Sequence, residues 1–258
     1  MNMATDAKYT EETVLWIKRH SSKHITFAIS RPAAYRFSAG QFSRLGIRDG
    51  AGYLWRAYSV LSAEYADTLE YFAVLIEDGA MSAHFAHMQA GDTLLLDKTA
   101  TGFLLPERFH DGRDLIMLST GSGIAPFLSM LQQPQLWQRF EHLALVHSVS
   151  HINDLIFTDW LKQLAQHPLV GEYFHQFRFQ AVVTREQHTG ILSARLPQLL
   201  QNGTLAHSLD LEFNLENSRF MLCGNPAMVA DTFKTLIEMG YRLNRNKTAG
   251  QILIENGF

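Results

Sequence analysis

Asp114-Leu115-Ile116-Met117-Leu118-Ser119, then Thr120-Gly121-Ser122-Gly123-Ile124-Ala125-Pro126, then Phe127-Leu128-Ser129-Met130-Leu131 is the stretch that decides the fold. An apolar run of strand length passes through two glycines into a helical pattern. Pro126 stands where a first helical turn has no use for an N–H. Amides at such a turn point outward and suit a dinucleotide phosphate. The turn is not a full G-x-G-x-x-G, because Pro126 replaces the last glycine, and alone it is weak evidence. A second run gives it weight: Arg56-Ala57-Tyr58-Ser59, about sixty residues upstream, sets a cation, a phenol and a hydroxyl on one strand. That combination suits a flat cofactor bearing phosphate.

The two runs lie in halves with different rhythms. Up to about residue 100 the chain reads as short strands at Thr13–Arg19, His24–Ile29, Gln41–Ile47, Tyr53–Leu61, Leu69–Ile76 and Thr93–Asp97. Gly40, Asp49-Gly50, Asp78-Gly79 and Gly91-Asp92 punctuate them. Six strands at hairpin spacing predict a closed antiparallel barrel, which leaves no exposed sheet edge. Beyond residue 113, strand-like runs at Asp114–Ser119, Leu143–Ser148, Phe177–Thr184 and Arg219–Cys223 alternate with helical patterns. The helices are expected at Pro126–Leu131, Asp154–Gln166, Ser193–Gln201 and Ala227–Met239. Alternation of this kind predicts a parallel sheet with crossover helices. The expected division is a barrel over residues 1–107 and an α/β domain over 108–258, with Pro106 and Arg108–Arg113 at the junction.

Composition narrows the class. The 258 residues are 47% hydrophobic and 18% charged, which is globular rather than disordered. A net charge of -3 is too mild to imply nucleic acid as the main partner. Cys223 is the single cysteine, so no intramolecular disulfide forms and no four-thiolate cluster is available. The first residues carry no signal-peptide pattern, and no uncharged run approaches a membrane span. A soluble cytoplasmic monomer is the expectation. The twelve histidines show no metal-ligand spacing, and His84 and His87 are read as surface or cap residues.

Read as chemistry, Arg56 would neutralise a cofactor pyrophosphate through paired hydrogen bonds. Tyr58 would lie against an isoalloxazine ring, and Ser59 would hydrogen-bond near its N5. Gly79-Ala80-Met81-Ser82 opens a short helical pattern, Ser82–Met88, whose first amides suit phosphate. Thr184-Arg185 follows a strand, and Arg195 stands ten residues on, so cations gather near the strand ends.

Arg56-Ala57-Tyr58-Ser59, Phe37-Ser38-Ala39-Gly40-Gln41-Phe42, Gly79-Ala80-Met81-Ser82, the Gly121 turn and Leu222-Cys223-Gly224-Asn225-Pro226 occur in family order. Together they resemble the compact bacterial ferredoxin (or flavodoxin)–NADP reductases, from about residue 10 to Phe258. The resemblance implies FAD in the barrel and NADP(H) in the α/β half. It implies FAD contacts from Arg56, Ala57, Tyr58, Ser59, Phe72, Val74, Ala80, Met81 and Ser82, with Gly121, Ser122 and Gly123 approaching the nucleotide. Thr184, Arg185 and Arg195 would clasp the 2′-phosphate, although Ser150 stands where relatives place an arginine. Cys223 and Gly224 would border the nicotinamide. Glu255, opposite Ser59, would steady the nicotinamide and the half-reduced flavin. Phe258 would stack on the flavin face, with Gly257 as hinge. The implied activity is hydride transfer from NADPH to FAD, then single electrons to ferredoxin or flavodoxin.

Residues 13–48 carry Lys18, Arg19, Lys23, Arg31, Arg36, Arg44 and Arg48 with no acid, and Arg242, Arg245 and Lys247 precede the tail. Such a face would steer an acidic carrier, or merely solubilise the barrel. Two other readings stay open: an NADH-using reductase of an oxygenase or of free flavin, and a non-catalytic subunit that only holds flavin. A larger kcat/KM for NADH would favour the first. A yellow protein inert to NADPH would favour the second.

Overall fold

The structure, a computed structural model, describes residues 8–256. Strands β1 (Tyr9–Arg19), β2 (His24–Ser30), β3 (Phe42–Asp49), β4 (Gly52–Ser59), β5 (Thr68–Val74) and β6 (Thr93–Asp97) form one antiparallel sheet ordered β4-β3-β6-β1-β2-β5. The two outer strands meet through an isolated bridge between Val60 and Tyr71, with Leu61 N–H on Glu70 O at 2.8 Å. The sheet is therefore a half-barrel whose rim is drawn together at one corner rather than a fully laddered cylinder. Helix α1 (Ala80–His87) plugs it, as Met81 and Phe85 drop into the core and Phe85 lies 5.1 Å from Phe27. Arg19 fastens this helix by donating to Phe85 O (3.3 Å) and Met88 O (2.9 Å).

The second sheet is parallel: β7 (Asp114–Thr120), β8 (His142–Val149), β9 (Phe177–Val183), β10 (Ser218–Gly224) and β11 (Ile252–Asn256), ordered β11-β10-β7-β8-β9. Its inner strands are apolar on both faces, as helices on both sides require. Period two sorts them: Leu115, Met117, Leu143, Leu145, Met221 and Cys223 enter the core beneath the half-barrel, while Ile116, Leu118, Ala144, Val146, Phe220 and Leu222 enter the opposite one. Helices α2 (Ala125–Met130), α3 (Pro134–Arg139) and α4 (Thr158–Gln163) belong to the first face. Helices α5 (Leu196–Gln201), α6 (Thr204–Ser208) and α7 (Pro226–Glu238) cover the second.

The long helix expected over Asp154–Gln166 is broken into a 3-10 turn (Ile152–Asp154), α4 and a second 3-10 turn (Leu164–Gln166). β11 was not anticipated, because five residues beside the chain end carry too little pattern.

The two sheets share a core. Ala39, Leu61, Phe72 and Leu104 from the first half pack into one cluster with Phe127, Leu128 and Met130 of α2. Ser129 Oγ donates to Ser62 O at 2.7 Å and Gln132 Nε2 to Leu61 O at 2.9 Å. At Gly40, with φ +106, a β-carbon would crowd Leu104 O, so only glycine lets these two connecting segments approach there. The cleft between the halves thus has fixed walls.

Candidate active site

The chain leaves β7 toward β8 on one side and returns to β10 on the other, so the β7/β10 border is the switch point of the sheet. Ligands of open α/β sheets sit at that border, outside the carboxyl ends of the strands. Two segments meet here. The glycine turn after β7 forms a 3-10 turn over Gly121–Ile124, and Gly224-Asn225-Pro226 leads from β10 into α7. A β-carbon on Gly123 would lie 2.2 Å from Cys223 O, and one on Gly224 (φ +143) 2.2 Å from Thr120 Oγ1. Both glycines serve the approach of one segment to the other. Asn225 N–H donates to Thr120 Oγ1 (2.9 Å), and the Asn225 side chain caps α7 through Ala227 N. Gly121, by contrast, holds φ +52 with nothing near its β-carbon position, so its open side faces the cleft.

Two cavities flank this turn. One of about 400 Å³ is walled by Arg56, Ala57, Tyr58, Ser59, Phe72, Val74, Met81 and Ser82 from the half-barrel, and by Ser122, Gly123, Cys223 and Glu255 from the other sheet. The other, about 500 Å³, is walled by Gly121, His147, Ser150, His151, Thr184, Arg185 and Arg195, among others. Phe72 and Val74 line both. The cavities therefore adjoin across two side chains and one turn.

The first cavity fits a flat ring carrying phosphate. Its walls are aromatic and aliphatic, with one guanidinium and several hydroxyls. Tyr58 packs 5.4 Å from Phe85, and Phe72 meets Phe157 edge-on at 5.0 Å, so both rings are braced. Arg56 is exposed and donates only to its neighbour's carbonyl, Trp55 O, at 2.8 Å. Ser82 Oγ accepts Ile76 N–H at 3.0 Å, and Gly79 leaves room for Ile76 and Ser82, 2.7 and 3.0 Å from its β-carbon position. That glycine closes the turn into α1. Ala80 is exposed and does not line the cavity, and Gly224 lines neither cavity.

Cys223 is buried, pairs with Ser119 and Glu255 across neighbouring strands, and faces the shared core. Burial, and the Glu255 carboxylate after it, push its thiol far above the ordinary range. The sulfur is a neutral wall atom, not a nucleophile. Burial also raises the Glu255 carboxyl to about 7, so it holds its proton into the neutral range. Phe258 and Gly257 lie outside the described residues.

In the second cavity Thr184 Oγ1 donates to Val149 O at 3.1 Å and Arg185 N–H to Ser150 O at 3.0 Å, fixing the loop after β9 against the end of β8. The Arg185 and Arg195 side chains are exposed on the cavity rim, with Ser150 between them and β8. Two histidines escaped sequence reasoning. His147 is buried beneath the turn, its ring held neutral at about 4 by desolvation, against the opposing pull of the Gly121 carbonyl. Its Nε2–H donates to Gly121 O at 3.1 Å. His24 opens β2, faces Phe72 at 5.8 Å and Asp154 at 3.8 Å, and is likewise shifted down by burial. The signal was a histidine inside an otherwise apolar strand.

The cationic run at 13–48 is largely committed within the chain. Arg19, Arg31 and Arg36 donate to backbone carbonyls, while Arg44 and Arg48 pair with Asp97 and Glu11. Lys18, Arg242, Arg245 and Lys247 remain exposed. Of the two histidines read as surface, His87 is exposed, whereas His84 is half-buried with Nε2 enclosed and unbonded. No group of three metal-ligating side chains occurs among the described residues. No helix among them is long and apolar enough to cross a membrane.

Comparison with known proteins agrees with this geometry. A sequence profile of the oxidoreductase NAD-binding domain matches residues 117–234. Ferredoxin–NADP reductase A of Sorangium cellulosum is 35% identical over 97% of this chain and 90% of its own. The ferredoxin–NADP reductase of Pseudomonas aeruginosa is 33% identical over 97% of both. A crystal structure of a ferredoxin NADP+ reductase from Neisseria gonorrhoeae, with bound FAD and NADP, superposes with a TM-score of 0.93. It is 60% identical, covering 98% of this chain and 100% of that one. On these grounds the chain belongs to the ferredoxin–NADP reductases.

Proposed function

We propose that this chain is an FAD-dependent reductase that takes hydride from NADPH and passes single electrons to ferredoxin or flavodoxin. The observation that carries the reading is the pair of cavities joined across Phe72, Val74 and the glycine turn. Bound FAD supplies the change from a two-electron donor to a one-electron carrier, which no side chain performs. The protein supplies position.

In this reading Arg56 and Ser82, with the first amides of α1 from Ala80 onward, take the FAD phosphates. Tyr58, Phe72, Val74 and Met81 hold its rings, and Ala57 and Ser59 flank them. Gly121, Ser122 and Gly123 bring backbone close to both ligands. Cys223 presents a small uncharged surface where the nicotinamide approaches, and Gly224 allows β10 to reach that point. Glu255 and Ser59 are the polar groups nearest the reacting rings, with Phe258 covering the flavin until nicotinamide displaces it. Thr184, Arg185 and Arg195 take the 2′-phosphate.

The division into an FAD unit (1–107) and an NADP unit (108–258) follows the change of sheet. The carrier would dock near Phe103, which is 72% exposed beside Gly102, whose β-carbon position lies 3.1 Å from Glu255 Oε2. Lys18, Arg242, Arg245 and Lys247 would attract its acidic surface. A cytoplasmic monomer with no nucleic-acid or membrane partner completes the reading.

The test is NADPH-driven reduction of purified ferredoxin and flavodoxin by the yellow protein. Turnover should fall as salt rises from about 0.05 to 0.3 M, where the screening length shortens. Failure to reduce either carrier overturns the activity, and a flat salt profile removes the cationic steering.

A further inference from the structure

One cluster on the nucleotide side has no part in the reading above. Glu186, in the loop after β9, is held from three directions. Ile152 N–H donates to its Oε2 at 2.8 Å, His188 Nε2 lies 3.0 Å from Oε2, and His151 Nδ1 lies 3.1 Å from Oε1. His151 also lines the nucleotide cavity, beside the Ser150 that departs from the expected arginine, and its side chain is 49% exposed. Arg185 adjoins Glu186 in sequence and hydrogen-bonds back to Ser150. The triad therefore stands against the rim where the 2′-phosphate cations converge.

We propose that His151, backed by Glu186 and His188, is a specificity determinant for the adenosine 2′-phosphate of NADP(H) and grips it only when protonated. This rests on reading the cavity as the NADPH site. The tautomer makes the contact conditional. A carboxylate at Nδ1 holds the proton there, so Nε2 of a neutral His151, a residue of the cavity wall, is bare. A bare ring nitrogen repels phosphate oxygens, whereas the imidazolium offers a charge-assisted N–H.

Charge on the rim points the same way. Lys23, Arg185 and Arg195 line this cavity against Asp154 and Asp231, a surplus of one positive charge. Glu186, in contact with His151, cancels that surplus, and a cationic His151 restores it. The other titratable groups facing the site are His24 and His147, both shifted down by burial and so uncharged near neutrality. Asp154 accepts His151 N–H at 3.1 Å and lies 3.8 Å from His24. Hydrogen bonds from His188, Ile152 and His151 hold the Glu186 carboxyl down at about 2, so it stays anionic throughout.

The sign is diagnostic. A phosphate monoester takes its second charge near pH 6, so ligand ionisation alone makes 2′-phosphate binding tighten as pH rises. Histidine loses charge between about pH 5 and 8 and acts in the opposite sense. The experiment measures the affinity of the FAD-loaded protein for 2′,5′-ADP and for 5′-AMP by calorimetry at pH 6.5 and 8.5, in wild type, His151→Gln and Glu186→Gln. The ratio of the two affinities should fall on the order of tenfold in wild type, the worth of one charge-assisted contact. His151→Gln should flatten that fall and lose affinity for 2′,5′-ADP at pH 6.5. Glu186→Gln should gain affinity at pH 8.5, where an uncompensated carboxylate is removed. A wild-type ratio that stays level or rises overturns the inference, as does a His151→Gln profile parallel to wild type. No binding of either nucleotide to any variant would instead sink the nucleotide site itself.

Discussion

Gly123→Ala is the sharpest perturbation of the seam between the cavities. The added methyl would meet Cys223 O at 2.2 Å, Cys223 C at 2.4 Å and Gly224 Cα at 2.6 Å, all backbone atoms that cannot turn aside. To regain ordinary contact the turn and β10 must part by roughly an ångström, and overpacking of that size costs about 1–3 kcal/mol. For a chain of this length the thermal midpoint should drop on the order of 5 °C. The kinetic effect should be larger, because the shifted segments are those that wall both cavities. A displacement near 1 Å in a positioned reaction costs on the order of 10²-fold in rate. Thermal unfolding of the FAD-loaded protein and anaerobic stopped-flow reduction by NADPH read the two effects separately. Wild-type midpoint and wild-type rate together would refute the reasoning, since they would mean that the turn and strand do not touch as described.

Arg185→Ala should raise KM for NADPH by about tenfold more than KM for NADH, the worth of one phosphate ion pair; equal effects would remove Arg185 from the 2′-phosphate. Glu255→Gln tests the raised carboxyl. Because the fold favours the protonated form, wild-type stability should decline as pH rises from about 4.5 to 7. The glutamine variant should lack that component of the slope, and parallel thermal midpoints from pH 4.5 to 8 would contradict it. Removing Phe258 should change the affinity for NADP+ and the NADPH/NADH ratio by a few-fold, the scale of one stacking contact; unchanged kinetics would exclude stacking there.

Much of this molecule is legible from Asp114–Leu131 outward, because apolar strands, glycine turns and helix starts are local and have steric causes. The switch from antiparallel to parallel rhythm located both sheets. Glycines were harder to read. Gly79, Gly123 and Gly224 look alike as phosphate-approach residues, yet their absent side chains make room for Ile76 and Ser82, Cys223 and Thr120 respectively. Of the cavity glycines Gly79, Gly121 and Gly123, Gly121 alone has nothing near its β-carbon position. The basic run misled for a similar reason, since charge is visible in sequence but its partners are not, and five of those side chains are spoken for inside the chain. His24, His147 and His151 stayed hidden because the start of β2 and the end of β8 meet only in the fold, where they line one cavity. β11 was missed because its five residues carry too little pattern and its one sheet neighbour, β10, lies far upstream.

The central claim is that FAD and NADPH lie in adjoining cavities that share Phe72, Val74 and the glycine turn at their border. Single-turnover stopped-flow mixing of the purified yellow protein with NADPH, without oxygen or carrier, tests it most directly. The account predicts rapid bleaching of the flavin band at a rate that saturates with NADPH. Protein that neither retains nor takes up FAD, or whose colour survives excess NADPH, would contradict it.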